Sequence, residues 1–196
     1  MATVFSKNNM KAADWIAHLG LLAHPEGGYY QETYRSQEIV AAGHLPARFN
    51  TDHHFSTAIY YLLQAPDFSA FHRIKQDELW HFYHGSGLTI HVITADGDYQ
   101  TLKLGSDPRK GQAFQQVVKA GDWFAASVDD FSVDDSSVDE FSGDASSNDG
   151  TQGNQFALVG CTVAPGFEFA DFELANQTSL IKAFPKHQTL IRRFTR

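Results

Sequence analysis

Ser69-Ala70-Phe71-His72-Arg73-Ile74-Lys75-Gln76-Asp77-Glu78-Leu79-Trp80-His81-Phe82-Tyr83-His84-Gly85 carries more of the fold and the chemistry of this chain than any other stretch. It reads as two β-strands, 69–75 and 78–84, with a tight polar turn between them. Side chains alternate across a strand, so His72 and Ile74 share one face, and Glu78, Trp80 and Phe82 share another. If those faces line an interior, His72 and Glu78 point from adjacent strands into a space walled by aromatic rings. A histidine beside a carboxylate is a candidate base whose ring can be held in one tautomer. The same spacing also describes an interior hydrogen-bonded pair that does no chemistry.

Working outward, an amphipathic helix is predicted over 12–22, with Trp15, Ile16, Leu19 and Leu22 at helical spacing. His24-Pro25-Glu26-Gly27-Gly28 then breaks it. Further strands are predicted over 29–34, 56–64, 89–94, 99–104, 115–119, 123–127, 156–163 and 190–194. Gly, Pro and Asp mark the turns between them, as in Ala65-Pro66-Asp67 and Asp96-Gly97-Asp98. Short strands at this spacing predict an all-β barrel or jelly roll. A turn over 170–175 and a short helix over 179–184 are expected near the end.

The 196 residues suit one domain with a real core. The 13% aromatic content, with 16 Phe, leans towards β structure. Cys161 stands alone, which excludes an intrachain disulfide and a cysteine-based zinc site. No apolar run is long enough for a spanning helix, and residues 1–10 lack a signal-peptide core, so a cytoplasmic protein is expected, with no membrane partner. The net charge of −8 is local. Eight of the 23 acids lie in 128–155, which has no Lys or Arg, so 15 acids face 15 bases elsewhere. With no basic patch, nucleic acid is not expected as a partner. That acidic stretch repeats in fives (Val128-Asp129-Asp130-Phe131-Ser132, Val133-Asp134-Asp135-Ser136-Ser137, Val138-Asp139-Glu140-Phe141-Ser142). It reads as a solvated, low-complexity loop inserted in a single 1–196 domain. As an EF-hand loop from Asp144 it fails where glycine is required and Asp149 stands.

The quoted stretch resembles the first cupin motif, with His72, Glu78 and Gly85 at the matched positions and Ile74 in place of the second histidine. Lys119-Ala120-Gly121-Asp122-Trp123-Phe124 resembles the second motif, with Phe124 where a ligand histidine stands. More specifically, 24–36, 56–63, 69–85 and 157–173 are similar, in order, to the Cupin_5 family, cupin-like proteins of unassigned function in the RmlC-like superfamily. The resemblance implies a jelly-roll double-stranded β-helix, usually a homodimer, similar in shape to the sugar-nucleotide epimerase branch.

A mononuclear metal site wants at least three side-chain ligands. Ile74 and Phe124 supply none. His81 alternates to the outer face, His53 and His54 lie in a loop from which one could reach the mouth, and the facing of His91 is open. No metal and no other cofactor is therefore expected. By the epimerase resemblance, His72 would abstract a proton beside a carbonyl and Tyr60 or Tyr61 would return one, with Glu78 the candidate carboxylate beside His72. Arg35 and the Gly27–Gly28 amides are candidate anion anchors. Tyr30, Trp80, Phe82 and Phe124 are candidate stacking surfaces for a sugar, nucleotide derivative or other small polar molecule. Two functions remain open: a metal-independent isomerase, and a binding or sensory cupin without turnover. A metal-dependent oxygenase or isomerase fits less well.

Overall fold

The computed structural model describes residues 10–129 and 155–196. The chain opens with helix α1 (Ala12–Leu19), followed by β1 (Leu22–Ala23), β2 (Tyr29–Arg35), β3 (Ile39–Val40), β4 (His53–His54) and β5 (Thr57–Gln64). Next come β6 (Phe68–Arg73), β7 (Asp77–Gly85), β8 (Leu88–Ile93), β9 (Tyr99–Leu104), β10 (Gln115–Val118) and β11 (Trp123–Val128). Strands β12 (Phe156–Ala164) and β13 (Glu173–Leu174) and helices α2 (Gln177–Ala183) and α3 (Gln188–Arg193) complete the described residues. None of the described helices is long and apolar enough to cross a membrane.

All the strands but β3 and β4, which pair with each other, form a jelly roll of two facing antiparallel sheets. One has the order β1-β2-β5-β12-β7-β10 and the other β13-β6-β11-β8-β9. The alternating pattern of β8 shows how the core forms: Leu88, Ile90 and Val92 are buried while Thr89 and His91 turn away. They meet Tyr61, Leu63 and Trp80 of the other sheet, with Phe124 and Val159, in the main core. Each such side chain contributes about 1.5–3 kcal/mol by leaving water. Helices α2 and α3 cover the outside of the five-stranded sheet through Leu180, Ile191 and Phe194, against Phe71 and Trp123. Ala12 of α1 joins Leu62 and Leu158 on the outside of the six-stranded sheet.

Three expectations are corrected. Helix α1 stops at Leu19, because Gly20 takes a left-handed conformation (φ 63°) that caps it, and Leu22 opens β1 instead. Residues 190–194 lie in and just beyond helix α3 rather than forming a strand. Leu190, Ile191 and Phe194 fit a helical stripe as well as a short strand, and a short apolar run does not separate the two. Finally, β6 and β7 are not hairpin neighbours. They lie in different sheets, and residues 74–76 cross between them, with buried Gln76 donating to the Gly166 carbonyl (3.3 Å).

The ends of the acidic segment are part of the jelly roll. Val128 closes β11, and the Asp129 carboxylate accepts from Thr89 Oγ1 (2.5 Å) and Gln112 Nε2 (3.2 Å). The Gln155 carbonyl accepts from the Ala65 amide (2.9 Å). The remainder of the repeat, 130–154, lies outside the described residues.

Candidate functional site

Between the sheets lies a cavity of about 320 Å³. The six-stranded sheet contributes Tyr30, Ile59, Tyr61, Glu78, Trp80 and Cys161, and β6 contributes His72. The turn before β2 brings in His24 and Glu26. A strap after β12, residues 167–172, adds the rings of Phe167, Phe169 and Phe172. Alternation explains the first group. On β7, Glu78 and Trp80 share the inner face, while Leu79 between them is exposed.

His72 is buried, and both of its ring nitrogens are occupied. Nδ1 donates to the Ala70 carbonyl (2.8 Å), which fixes the tautomer, so neutral Nε2 carries the lone pair. Nε2 faces Glu26 Oε2 at 3.1 Å. The other Glu26 oxygen accepts from Ser69 Oγ (2.9 Å), and His24 Nδ1 lies 3.4 Å from Oε2. Thus the carboxylate partner of His72 is Glu26, not Glu78, which faces it from the opposite sheet.

The electrostatics follow from burial. Desolvation lowers the His72 pKa to about 4, so the ring is neutral at pH 7. Desolvation raises the Glu26 pKa, against the opposing influence of His24, Ser69 and Tyr61. His24 is lowered, first by burial. Glu78 is raised to about 8, by burial and then by the nearby Glu26 carboxylate. The Cys161 thiol and the Trp80 indole N–H pull the Glu78 pKa the other way, but less than burial raises it, and the indole makes no full hydrogen bond. The cavity therefore holds a neutral imidazole and a protonated carboxyl together at neutral pH. Groups whose environments drive their pKa values apart in this way are suited to acid and base roles.

The structure places the remaining sequence candidates as follows. Tyr61, not Tyr60, faces the cavity. Its hydroxyl donates to the Gly27 carbonyl (2.9 Å), and burial keeps it neutral. Tyr60 packs towards α1 and lies 5.9 Å from the Tyr83 ring. Phe82 packs on the core and lines a separate outer groove with Tyr83 and Phe114. Phe124 sits behind His72, ring to ring at 4.0 Å, and does not line the cavity. Gly28 does not line it either. Its amide donates to Asp67 Oδ2 (3.2 Å), the Gly27 amide to the His24 carbonyl (3.0 Å), and neither is spare for an anion. Gly28 has φ 68°, and a Cβ there would meet the Leu62 carbonyl at 2.7 Å, so the turn requires glycine. Arg35 and Tyr30 do line the cavity. Arg35 grips both oxygens of Glu32 (3.0 and 2.8 Å) and reaches Glu168 (2.6 Å).

Outside the cavity, His53 points into a buried network with Asp171 (2.6 Å), and His54 has a buried Nδ1 without a partner. His81 bonds Thr162 (3.1 Å), and His91 bonds the Tyr99 hydroxyl (2.9 Å). A resident metal does not fit these residues. Both His72 nitrogens are spent, and Ile74 and Phe124 offer no donor. Among the described residues no three His, Cys, Asp or Glu side chains group as a metal requires.

The family model described as Cupin superfamily (DUF985), Cupin_5, matches residues 13–175. Two solved structures share the fold along nearly the whole chain. A Shewanella oneidensis protein is 32% identical, with a TM-score of 0.75, and the match covers 96% of this chain and 99% of that one. A hypothetical protein from Leishmania major is 31% identical, with a TM-score of 0.77, covering 95% and 99%. An uncharacterized protein of Saccharomyces cerevisiae is 33% identical over 109 residues, 52% of this chain. That match spans about half the yeast protein's length (53%).

Proposed function

The chain belongs to the Cupin_5 (DUF985) family of the cupin superfamily, and from that premise we propose that it binds a small polar organic molecule between its sheets and moves a proton on it without a metal. The observation that carries this reading is the meeting of neutral His72 and protonated Glu78 from facing sheets across one cavity. The His72–Glu26 pair accepts a proton from a carbon beside a carbonyl. Glu78 gives its proton to the carbonyl oxygen, forming an enediol from a hydroxyketone; Glu78 then takes the proton of the other hydroxyl while the pair returns its proton to the neighbouring carbon, which interconverts isomers. Neither Tyr60 nor Tyr61 has the expected part in returning a proton, because Tyr60 lies outside the cavity and the Tyr61 hydroxyl is engaged by Gly27. Phosphate-bearing ligands are disfavoured, since the Arg35 guanidinium is already neutralised by two carboxylates.

A second reading, binding without turnover, is favoured by one feature: Glu26 already occupies Nε2, the only basic nitrogen of His72. Deuterium uptake from D2O into small hydroxyketones, followed by NMR, separates the two. The proton-transfer reading expects uptake that falls about 10²–10⁴-fold in His72→Ala, while the ligand still raises the melting temperature. A melting shift with no uptake by the wild type at any hydroxyketone concentration would leave binding alone.

A further inference from the structure

The cavity reading leaves open which kind of molecule the walls select, and four observations bear on it. The first is charge. Glu26, Glu32 and Glu78 line the cavity, and the single guanidinium among the described lining residues, Arg35, is spent on Glu32 and Glu168. His24 and His72 are held neutral, so an anion finds no spare fixed cation. Second, burial raises the pKa of both Glu26 and Glu78, and the Glu26 carboxylate raises that of Glu78 further; a cation lying between them answers both. Third, Tyr30, Tyr61, Trp80, Phe167, Phe169 and Phe172 surround this space, and aromatic faces attract cations. Fourth, Trp80 is fully buried, lines the cavity, and has an indole N–H that makes no full hydrogen bond, only a weak interaction with Glu78.

We propose that the ligand is a small organic ammonium ion, held between Glu26 and Glu78 inside the aromatic walls, with a hydrogen-bond acceptor presented to Trp80 Nε1. This rests on the reading of the cavity as a small-molecule site in its binding-without-turnover form, because a Glu78 ionised against an ammonium has no proton to give a carbonyl. A volume of about 320 Å³ limits the ligand to a compact molecule. An amino alcohol has the required pair of groups.

The proposal has a pH signature. The groups facing Glu78 are Glu26 from the turn before β2, His72 from β6, Tyr61 from β5, Cys161 from β12 and His24. The two histidines are neutral above about pH 6.5, and burial holds the tyrosine and thiol protonated. Glu26 has a raised pKa of its own and acts in the same sense as Glu78. A cation binds the ionised carboxyls, so binding expels a proton, and affinity rises with pH until about 8.

The test titrates wild-type protein with ethanolamine, ethylene glycol and glycolate, reading the Trp80 indole N–H resonance by NMR, assigned with Trp80→Phe. Ethanolamine is expected to bind at least about tenfold more tightly than the other two. Its affinity should climb up to about tenfold per pH unit below 8 and then level off. In Glu78→Gln the preference and most of the climb should go, and the wild-type pH profile tests the proposal even if that variant fails to fold. Glycol or glycolate binding as tightly as ethanolamine, or ethanolamine affinity falling as pH rises, overturns the proposal. If glycol or glycolate moves the resonance and ethanolamine does not, the cation assignment fails and the cavity reading stands. If none of the three moves it, both fail.

Discussion

His53–Asp171 and His72–Glu26 are both buried histidine–carboxylate pairs, and they meet their surroundings in opposite ways. His53 Nε2 lies 2.6 Å from Asp171, which also receives Lys75 Nζ (2.9 Å) and Gln76 Nε2 (3.0 Å). Burial alone would raise the Asp171 pKa, but hydrogen bonds from Lys75, His53 and Gln76 together outweigh it and hold the carboxyl below its usual range. Glu26 receives Ser69, with His72 and His24 as its ring neighbours and, among the described residues, no Lys or Arg ion pair. There burial wins, and the carboxyl is pushed up. The residue types nearly match, so the number and charge of the donors decide the role. With a lysine and an amide added, the pair is a charged pin that fixes the strap 167–172. Without them, beside a cavity, burial draws the carboxyl towards its neutral form.

The largest expected effect tests the pin. Asp171→Ala leaves His53 buried without its acceptor and frees Lys75, so it should cost about 3–5 kcal/mol in urea unfolding. Glu26→Gln should cost clearly less, because its carboxyl is already inclined to be neutral and an amide keeps the Ser69 contact. If Asp171→Ala cost under about 1 kcal/mol, or no more than Glu26→Gln, the contrast between the two pairs would be broken.

Much of the cavity is legible from strand alternation. His72, Ile74, Glu78 and Trp80 all line it, as a period of two requires. The partner of His72 is not legible, because Glu26 sits in a glycine turn far away in sequence, where no periodicity assigns a facing. The available signal was an acid lodged in the glycine turn His24-Pro25-Glu26-Gly27-Gly28, whose Gly27 amide bonds the His24 carbonyl and whose Gly28 amide reaches Asp67. Tyr60 and Tyr61 could not be told apart for another reason. Strand β5 is covered on both faces, by the core and by α1, so Tyr61, Leu62 and Leu63 are all buried and the alternation is hidden. Phe82 continues the inner face of β7 but lies past the cavity, near a register shift opposite Leu158 and Val159. The placement of β6 and β7 in different sheets depends on buried Gln76 and its contacts with Gly166 and Asp171, which no local signal announces.

A smaller effect appears in the pH dependence of stability. The Glu78 pKa is raised from 4.5 to about 8 in the folded state, so folded protein keeps a proton that unfolded protein releases. Its contribution therefore fades as pH rises through that interval. The depressed histidines have the opposite slope, but only below about 6.5, where unfolded histidine binds its proton. Between about pH 6.5 and 8 the Glu78 slope stands clear of the histidines. The wild-type melting temperature should fall across that window relative to Glu78→Gln. Asp171, depressed in the folded state, weakens the protein only in acid, as pH drops below its unfolded value near 3.8. Parallel curves for the wild type and Glu78→Gln from 6.5 to 8 would mean that Glu78 is ionised in the fold, and its role as proton donor would go with it.

The smallest effect sharpens the comparison, because the strap has a second pin of a different kind. Arg35 holds it from β2 through Glu168 and the Phe167 carbonyl (3.2 Å), as Asp171 holds it from beneath. Arg35 and Glu168 are each about a third exposed (30% and 36%), whereas the Asp171 side chain is closed to water (1%). An exposed pair gains little over its hydrated partners, so Arg35→Ala should change the unfolding free energy by no more than about 1 kcal/mol. The strap also carries Phe167 and Phe169, which wall the cavity, so the same substitution should weaken binding of any cavity ligand severalfold. Stability and affinity should thus separate at Arg35 and fall together at Asp171. If Arg35→Ala proves as destabilising as Asp171→Ala, then burial is not what distinguishes the two pins, and the strap is held by the sum of its contacts rather than by the buried carboxylate.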